Sequence, residues 1–188
     1  ALAEIYALPP IREVVIVSTC NRTEIYLDFV ESDSAVPAGD ELAQKRQLVD
    51  RQEEVVAWLS TFHDLQAGEL EQCSYSYAGE DVVRHLMKVS CGLDSMVLGE
   101  PQILGQIKSA YAVSKDQKVV EQSLGRAFEE AFSIAKQVRT DTAIGENPVS
   151  VAYAAVTLAE RIFSDLPSLS VLLIGAGRTI ELVVKHLV

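Results

Sequence analysis

The sequence predicts an α/β protein whose N-terminal part is a sandwich of a small sheet packed by helices. Three observations carry this. Residues 11–17, IREVVIV, are a short β-branched run of the kind that forms a buried strand. After the turn STCNR, the segment TEIYLDF alternates apolar and polar residues, the period of a second strand. From Glu100 onward apolar residues recur at helical spacing. Ile103, Ile107, Ala110 and Tyr111 share one face, and Leu124, Phe128, Ala131, Phe132, Ala135 and Val138 share another.

The remaining elements follow in order. The opening ALAEIYAL reads as part of a helix, and residues 31–47, with Pro, Gly and acids, as a mobile loop. A helix is expected from about Val49, with Val55, Val56, Leu59 and Phe62 on its apolar side. Tyr75–Tyr77 suggests a brief strand, and Asp81 an N-cap for the helix VVRHLMKVSCGL. IGENP breaks the helical pattern at 144–148, and SVAYAAVTLAERIF resumes it behind Asn147 or Ser150 as a cap. Residues 166–170 turn into a second buried strand, 171–174, followed by a glycine turn and helical residues. One strand and one helix do not bury each other as a nucleotide domain does, so the sequence is expected to belong to a longer chain.

Composition excludes several classes. No apolar run reaches the length of a membrane span, and the start lacks the pattern of a signal peptide. Three cysteines at unrelated spacings, Cys20, Cys73 and Cys91, argue against a disulfide framework and for a reducing, cytoplasmic setting. Paired ligands at metal-binding spacing are not found. The net charge of −11 is uneven: residues 1–81 carry sixteen acids and five bases, residues 82–188 eleven of each. Phosphate contact needs Lys and Arg, so a nucleic-acid partner would dock on a local basic surface. Lys108, Lys115, Lys118, Arg126, Lys136 and Arg139 supply one, unless they are only a solvated helix face.

Four segments carry chemistry. Ser18-Thr19-Cys20-Asn21-Arg22 follows a buried strand directly, where a turn presents side chains rigidly. Cys20 there is either a small buried residue or a nucleophile whose thiolate is favoured by Arg22, and Arg22 can also take a carboxylate in its fork. Cys73 and Cys91 carry no such context. In GLDSMVLGEPQILGQ, Ser95, Glu100, Gln102 and Gln106 can floor a polar pocket or simply cap a helix corner. Pro101 restrains Glu100 to extended geometry, and Gln102 and Gln106 share a helix face. His85, on an apolar helix, is a packed residue or a general acid–base; His63 and His186 read as surface groups. Gly175-Ala176-Gly177-Arg178-Thr179-Ile180 has the first two glycines of a dinucleotide fingerprint, with Ile180 where the third is often found. Such a turn opens a Rossmann-type domain and offers its backbone N–H groups to a pyrophosphate.

Taken together, STCNRTE-IY, GLDSMVLGEPQILGQIK, AFSIAKQVRTDTAIG with SVAYAA, and VLLIGAGRTIELV closely resemble the glutamyl-tRNA reductase family, in the family's order. The resemblance implies that residues 1–143 are a catalytic domain binding glutamyl-tRNA. Residues 144–188 would be a connecting helix and the start of an NADPH-binding domain. It implies Cys20 as nucleophile, forming a glutamyl thioester that NADPH reduces to glutamate-1-semialdehyde, the precursor of tetrapyrroles and porphyrins. It assigns substrate contacts to Thr19, Cys20, Asn21, Arg22, Ser95, Glu100, Pro101, Gln102 and Gln106, a role in activity to His85, and NADPH to Gly175–Ile180. It also implies a homodimer for the full-length chain, and glutamate-1-semialdehyde aminomutase as a partner. The sequence departs from the family where Arg178 replaces a common glutamate, and no Asn-His strand precedes Ala1. Such a piece is expected to form the thioester or hydrolyse the ester without reducing it. Two other readings are a thioester-forming aldehyde dehydrogenase, whose motif order differs, and a partner-binding relative of the same fold without activity.

Overall fold

The computed structural model describes residues 1–187 apart from 9, 20, 31–39, 67 and 146–150. Helix α1 (Leu2–Tyr6) leads into the antiparallel pair β1 (Ile11–Ser18) and β2 (Thr23–Phe29). Helices α2 (Glu41–Phe62), α3 (Glu80–Ser90), α4 (Pro101–Asp116) and α5 (Gln122–Asp141) follow. A 3₁₀ turn at Ala143–Gly145 precedes α6 (Val151–Ile162), and another at Leu166–Ser168 precedes α7 (Arg178–Leu187). The expected α/β sandwich is therefore present, built on a two-stranded sheet.

The pleat sorts the strands' side chains into two cores. Val15, Val17 and Tyr26 pack with Leu86 and Val89 of α3, Ile103, Ile107 and Tyr111 of α4, and Leu124, Phe128 and Ala131 of α5. On the opposite face, Val14, Ile16, Ile25 and Leu27 pack with Ile5 of α1 and Val55 and Trp58 of α2. The helical faces read from α4 and α5 are those the core uses: Ile103, Ile107, Tyr111, Leu124, Phe128, Ala131 and Ala135 are buried.

A buried acid ties strand to helix. Glu13, 1% exposed, lies in β1. Its carboxylate accepts from the backbone N–H groups of Glu121, Ser123 and Leu124 at 2.9, 2.9 and 3.0 Å, at the start of α5. Those amides have no partner within the helix, so Glu13 acts as a cap supplied from a distant element.

Five expectations need correction. Helix α2 begins at Glu41 rather than near Val49, because Asp40 accepts from the Ala43 N–H at 3.0 Å and starts the helix within the polar stretch. Gly79, with φ 58°, caps α3; Asp81 lies inside its first turn, beside Glu80, where both acids favour the helix dipole. Residues 74–78 form no strand, and the side chains of Tyr75 and Tyr77 turn instead toward His85. The helical stretch after Glu100 is broken at 117–121, where Lys118 adopts φ 57°. Residues 171–174 are not a buried strand: Leu172 and Ile174 are 83% and 84% exposed, and no described strand pairs with them. The cap proposed at Asn147 or Ser150 lies outside the described residues.

No described helix is long and apolar enough to cross a membrane. Among the described residues no group of three or more His, Cys, Asp or Glu side chains is placed to hold a metal ion. Of the described cysteines, Cys73 is exposed and Cys91 buried, and burial raises the Cys91 thiol against the opposing pull of Arg139.

Candidate active site

The hairpin turn between β1 and β2 is held by Thr19. Its backbone N–H donates to the Arg22 carbonyl at 2.9 Å, and its hydroxyl donates to the same carbonyl at 3.1 Å. The hydroxyl also accepts from the N–H groups of Asn21 and Arg22, at 3.3 and 3.1 Å. Thr19 thus positions the turn's backbone, while Asn21 stands exposed. Cys20 lies outside the described residues.

Two residues beyond Arg22, Glu24 points into the core face of the sheet beside Val17 and is 7% exposed. A carboxylate there needs donors, and they come from three elements. Tyr26 donates from the same strand. Tyr75 donates at 2.7 Å from the segment before α3, and His85 Nε2 sits at 2.7 Å from α3 itself. Arg22 Nη1 lies at 3.4 Å. Burial alone would raise the Glu24 carboxyl, but the hydrogen bonds from Tyr26, Tyr75 and His85 outweigh it and hold the group below its ordinary range. Burial and the same carboxylate push the Tyr75 hydroxyl up to about 12, and push Tyr26 up further. The ring of Tyr77 stacks on His85 at 4.7 Å and Tyr75 meets its edge at 5.5 Å, so the imidazole is fixed in plane as well as by its nitrogen.

The sign of the Glu24 effect gives a prediction. A carboxyl depressed in the folded state adds stability above its ordinary value of 4.5 and loses it as pH falls through the lower folded value. Urea unfolding midpoints are therefore expected to fall with pH below that point, and to fall less steeply in Glu24→Gln.

Arg22 also faces outward. Its guanidinium pairs with the Asp94 carboxylate and donates to the Asp94 carbonyl. Its charged form is strengthened by these bonds despite the opposing cost of burial. The Arg22 guanidinium in turn holds the Asp94 carboxyl below its ordinary range.

Asp94 and Ser95 belong to the loop 91–100, which is built on two glycines. Gly92, φ 75°, ends α3 in a Schellman motif: its N–H donates to Val89 and that of Leu93 to Lys88, both at 2.9 Å. Gly99, φ 80°, donates its N–H back to Gly92 at 2.9 Å. Arg139 of α5 donates to the carbonyls of Gly99 and Glu100, each at 3.2 Å. A Cβ on Gly99 would stand 2.8 Å from Ile144 Cγ1 and 3.0 Å from the Ile144 carbonyl oxygen. Gly99→Ala is accordingly expected to cost about 2–3 kcal/mol of stability, from backbone strain plus that clash. Thermal or urea unfolding measures this.

Glu100 is the N-cap residue of α4, extended as its place before Pro101 requires. Gln102 and Gln106 then line an open groove of about 770 Å³ between α4 and β1, with Pro101, Gly105, Ile16 and Ser18. Gln106 Oε1 is buried with no hydrogen-bond partner among the described residues. Ser95 and Glu100 do not line this groove. The pocket floor expected from four polar residues is thus divided between the groove and the Gly-hinged loop. Gly175–Ile180 lead into and open α7, which packs on α6 around an apolar groove lined by Val156, Ala159, Val183 and Leu187; none of the six lines that groove.

Reasoning from sequence missed Glu24, Tyr26, Tyr75, Tyr77 and Asp94. The available signal was an acid alternating with Tyr26 on the face of β2 that lies against Val15 and Val17. Of the suggested basic surface, Lys115 is 3.5 Å from Glu129 and over the Tyr111 ring, and Lys108 lies over Phe132.

Residues 1–142 match the family model described as glutamyl-tRNAGlu reductase, N-terminal domain. Glutamyl-tRNA reductases of Ectopseudomonas mendocina and Pseudomonas aeruginosa are each 54% identical over 187 residues. That of Marinomonas sp. is 51% identical over the same length. Each alignment covers the whole of this chain and 40% of the relative, so the chain spans well under half their length. The solved structure of glutamyl-tRNA reductase from Methanopyrus kandleri superposes with a TM-score of 0.62 at 31% identity, covering 99% of this chain and 39% of that one. The chain that gathers Arg22 and His85 onto Glu24 beside its first hairpin therefore belongs to the glutamyl-tRNA reductase family.

Proposed function

We propose that this chain carries the acyl-transfer half of a glutamyl-tRNA reductase. In that reading Cys20 attacks the ester carbonyl joining glutamate to the tRNA 3′ end. The C–S bond forms, the C–O bond breaks, and the ribose oxygen leaves with a proton, giving a glutamyl thioester on Cys20 and free tRNA. The observation that best supports it is the convergence of Arg22, two residues from Cys20, and His85 on the buried carboxylate of Glu24. With Nε2 held by Glu24, the other ring nitrogen, Nδ1, remains for proton transfer to the leaving oxygen or from the thiol.

The α-carboxyl of the substrate is the ester, so its remaining carboxylate is the γ-carboxylate. Arg22 is the cation we assign to it. Thr19 orients the turn with both of its donors, and the exposed side-chain amide of Asn21 offers a donor to the developing oxyanion. Ser95, Glu100, Pro101, Gln102 and Gln106 complete the substrate contacts, with Gln106 Oε1 an acceptor still to be satisfied. The basic side of α4 and α5 is where tRNA would lie.

Residues 1–143 form the catalytic part in this proposal, and 144–188 lead into the NADPH-binding part. Gly175–Ile180 fit a pyrophosphate in one respect: Gly175, φ 130°, and Gly177 place a narrow turn immediately before the N-terminus of α7. NADPH bound there would supply hydride for reduction of the thioester to glutamate-1-semialdehyde, the first product on the route to tetrapyrroles. A cytoplasmic setting, a homodimer of the full-length protein and a handover of the aldehyde to glutamate-1-semialdehyde aminomutase belong to the same proposal.

Arg22→Lys tests the carboxylate assignment. It keeps the charge but loses the fork, and KM for glutamyl-tRNA in acyl transfer is expected to rise about tenfold. An unchanged KM would remove Arg22 from this role.

A further inference from the structure

Arg22 sits between two carboxylates of different kinds. Glu24 is buried, and Tyr26, Tyr75 and His85 already occupy it, so it cannot turn to a ligand without stranding three donors. Asp94 is the opposite case. Its side chain is 46% exposed against 18% for Arg22. It rides on a loop whose two ends, Gly92 and Gly99, both lie in the left-handed region and are bonded to each other. Such a loop can change course at its glycines while α3 and α4 stay in place.

Asp94 therefore fills the fork of Arg22 from the open side, in the position a ligand carboxylate would take. A carboxylate arriving at Arg22 displaces it and leaves two like charges close together, which is unfavourable unless a cation comes with the ligand. A glutamyl ester brings that cation, its free α-ammonium. The Arg22–Asp94 pair is thus a dipole matched to the reversed dipole of an aminoacyl ester with an acidic side chain. One ion pair is exchanged for two.

We propose that Asp94 is a specificity-determining residue that releases Arg22 to the substrate's γ-carboxylate and takes the substrate's α-ammonium in return. This rests on the reading of Arg22 as the carboxylate site. It makes the site selective for an α-amino acyl group over the same acyl group without its amine.

The test compares binding of L-glutamate α-methyl ester and monomethyl glutarate, which differ by the amine. The chain carries Cys20→Ala to prevent acyl transfer, at about pH 6, where the amine is charged. Binding is followed by ligand-observed saturation-transfer NMR titration, which reads the parent and every variant alike. The glutamate ester is expected to bind about tenfold more tightly, the worth of one charge-assisted hydrogen bond. In Asp94→Asn the two esters should bind within about threefold of each other, and Asp94→Glu should restore the preference. A merely structural Arg22–Asp94 pair would weaken both ligands equally and leave their ratio unchanged. An unchanged ratio in Asp94→Asn, with Arg22→Gln losing both esters, would overturn the role of Asp94 and leave that of Arg22 standing. If Arg22→Gln instead binds both esters as the parent does, or the parent binds neither, the carboxylate reading falls and this inference with it.

Discussion

Glu24→Gln is expected to slow acyl transfer to Cys20 about a thousandfold and to cost about 3 kcal/mol of stability. The substitution keeps the shape of the side chain but replaces an acceptor-only group with one that is half donor. Tyr26, Tyr75, His85 and Arg22 all approach that group as donors, so at least one would face an N–H. The imidazole would lose the partner that fixes which nitrogen carries its proton, and Arg22 would lose its buried counter-charge. Adduct formation followed over time, with urea unfolding of the same variant, separates the two effects. Loss of stability with an undiminished rate would reduce Glu24 to a structural role.

Glu13→Ala is expected to destabilise the fold by about 3–5 kcal/mol, more than an ordinary cap, because three backbone amides lose their acceptor together. Glu121, Ser123 and Leu124 have no other partner within the first turn of α5, and the site is too buried for water to replace the carboxylate freely. The variant should also lose part of its helical signal at temperatures where the parent is intact, since α5 packs against both α3 and the sheet. Circular dichroism during thermal unfolding reads both effects.

The sequence was most informative where structure is local. The alternation of TEIYLDF marked β2 from Thr23 to Phe29, and the spacing of Leu124, Phe128, Ala131 and Ala135 marked the buried face of α5. It was least informative where a partner lies far along the chain. Tyr75 and His85 stand 51 and 61 residues from Glu24, and nothing in their neighbourhoods announces that they meet there. Asp94 reads as one polar residue in a glycine-bounded loop until Arg22, 72 residues earlier, is seen to bind it. The run VLLI at 171–174 has the composition of a buried strand, but burial of a strand depends on neighbours on both sides, and no described strand provides them. The start of α2 was hidden for a different reason: its first turns are polar, and Asp40 rather than an apolar stripe begins the helix.

In the proposed function Cys20 accepts the glutamyl group while Arg22, Glu24 and His85 prepare the site. Intact-mass spectrometry of the chain mixed with glutamyl-tRNA, without NADPH, tests it directly against Cys20→Ser. A glutamyl adduct is expected on the parent, one that hydroxylamine removes and that Cys20→Ser does not form as a thioester. An intact glutamyl ester and no adduct on the parent would contradict it, and would leave the chain as a glutamyl-tRNA reductase relative that does not perform the acyl transfer.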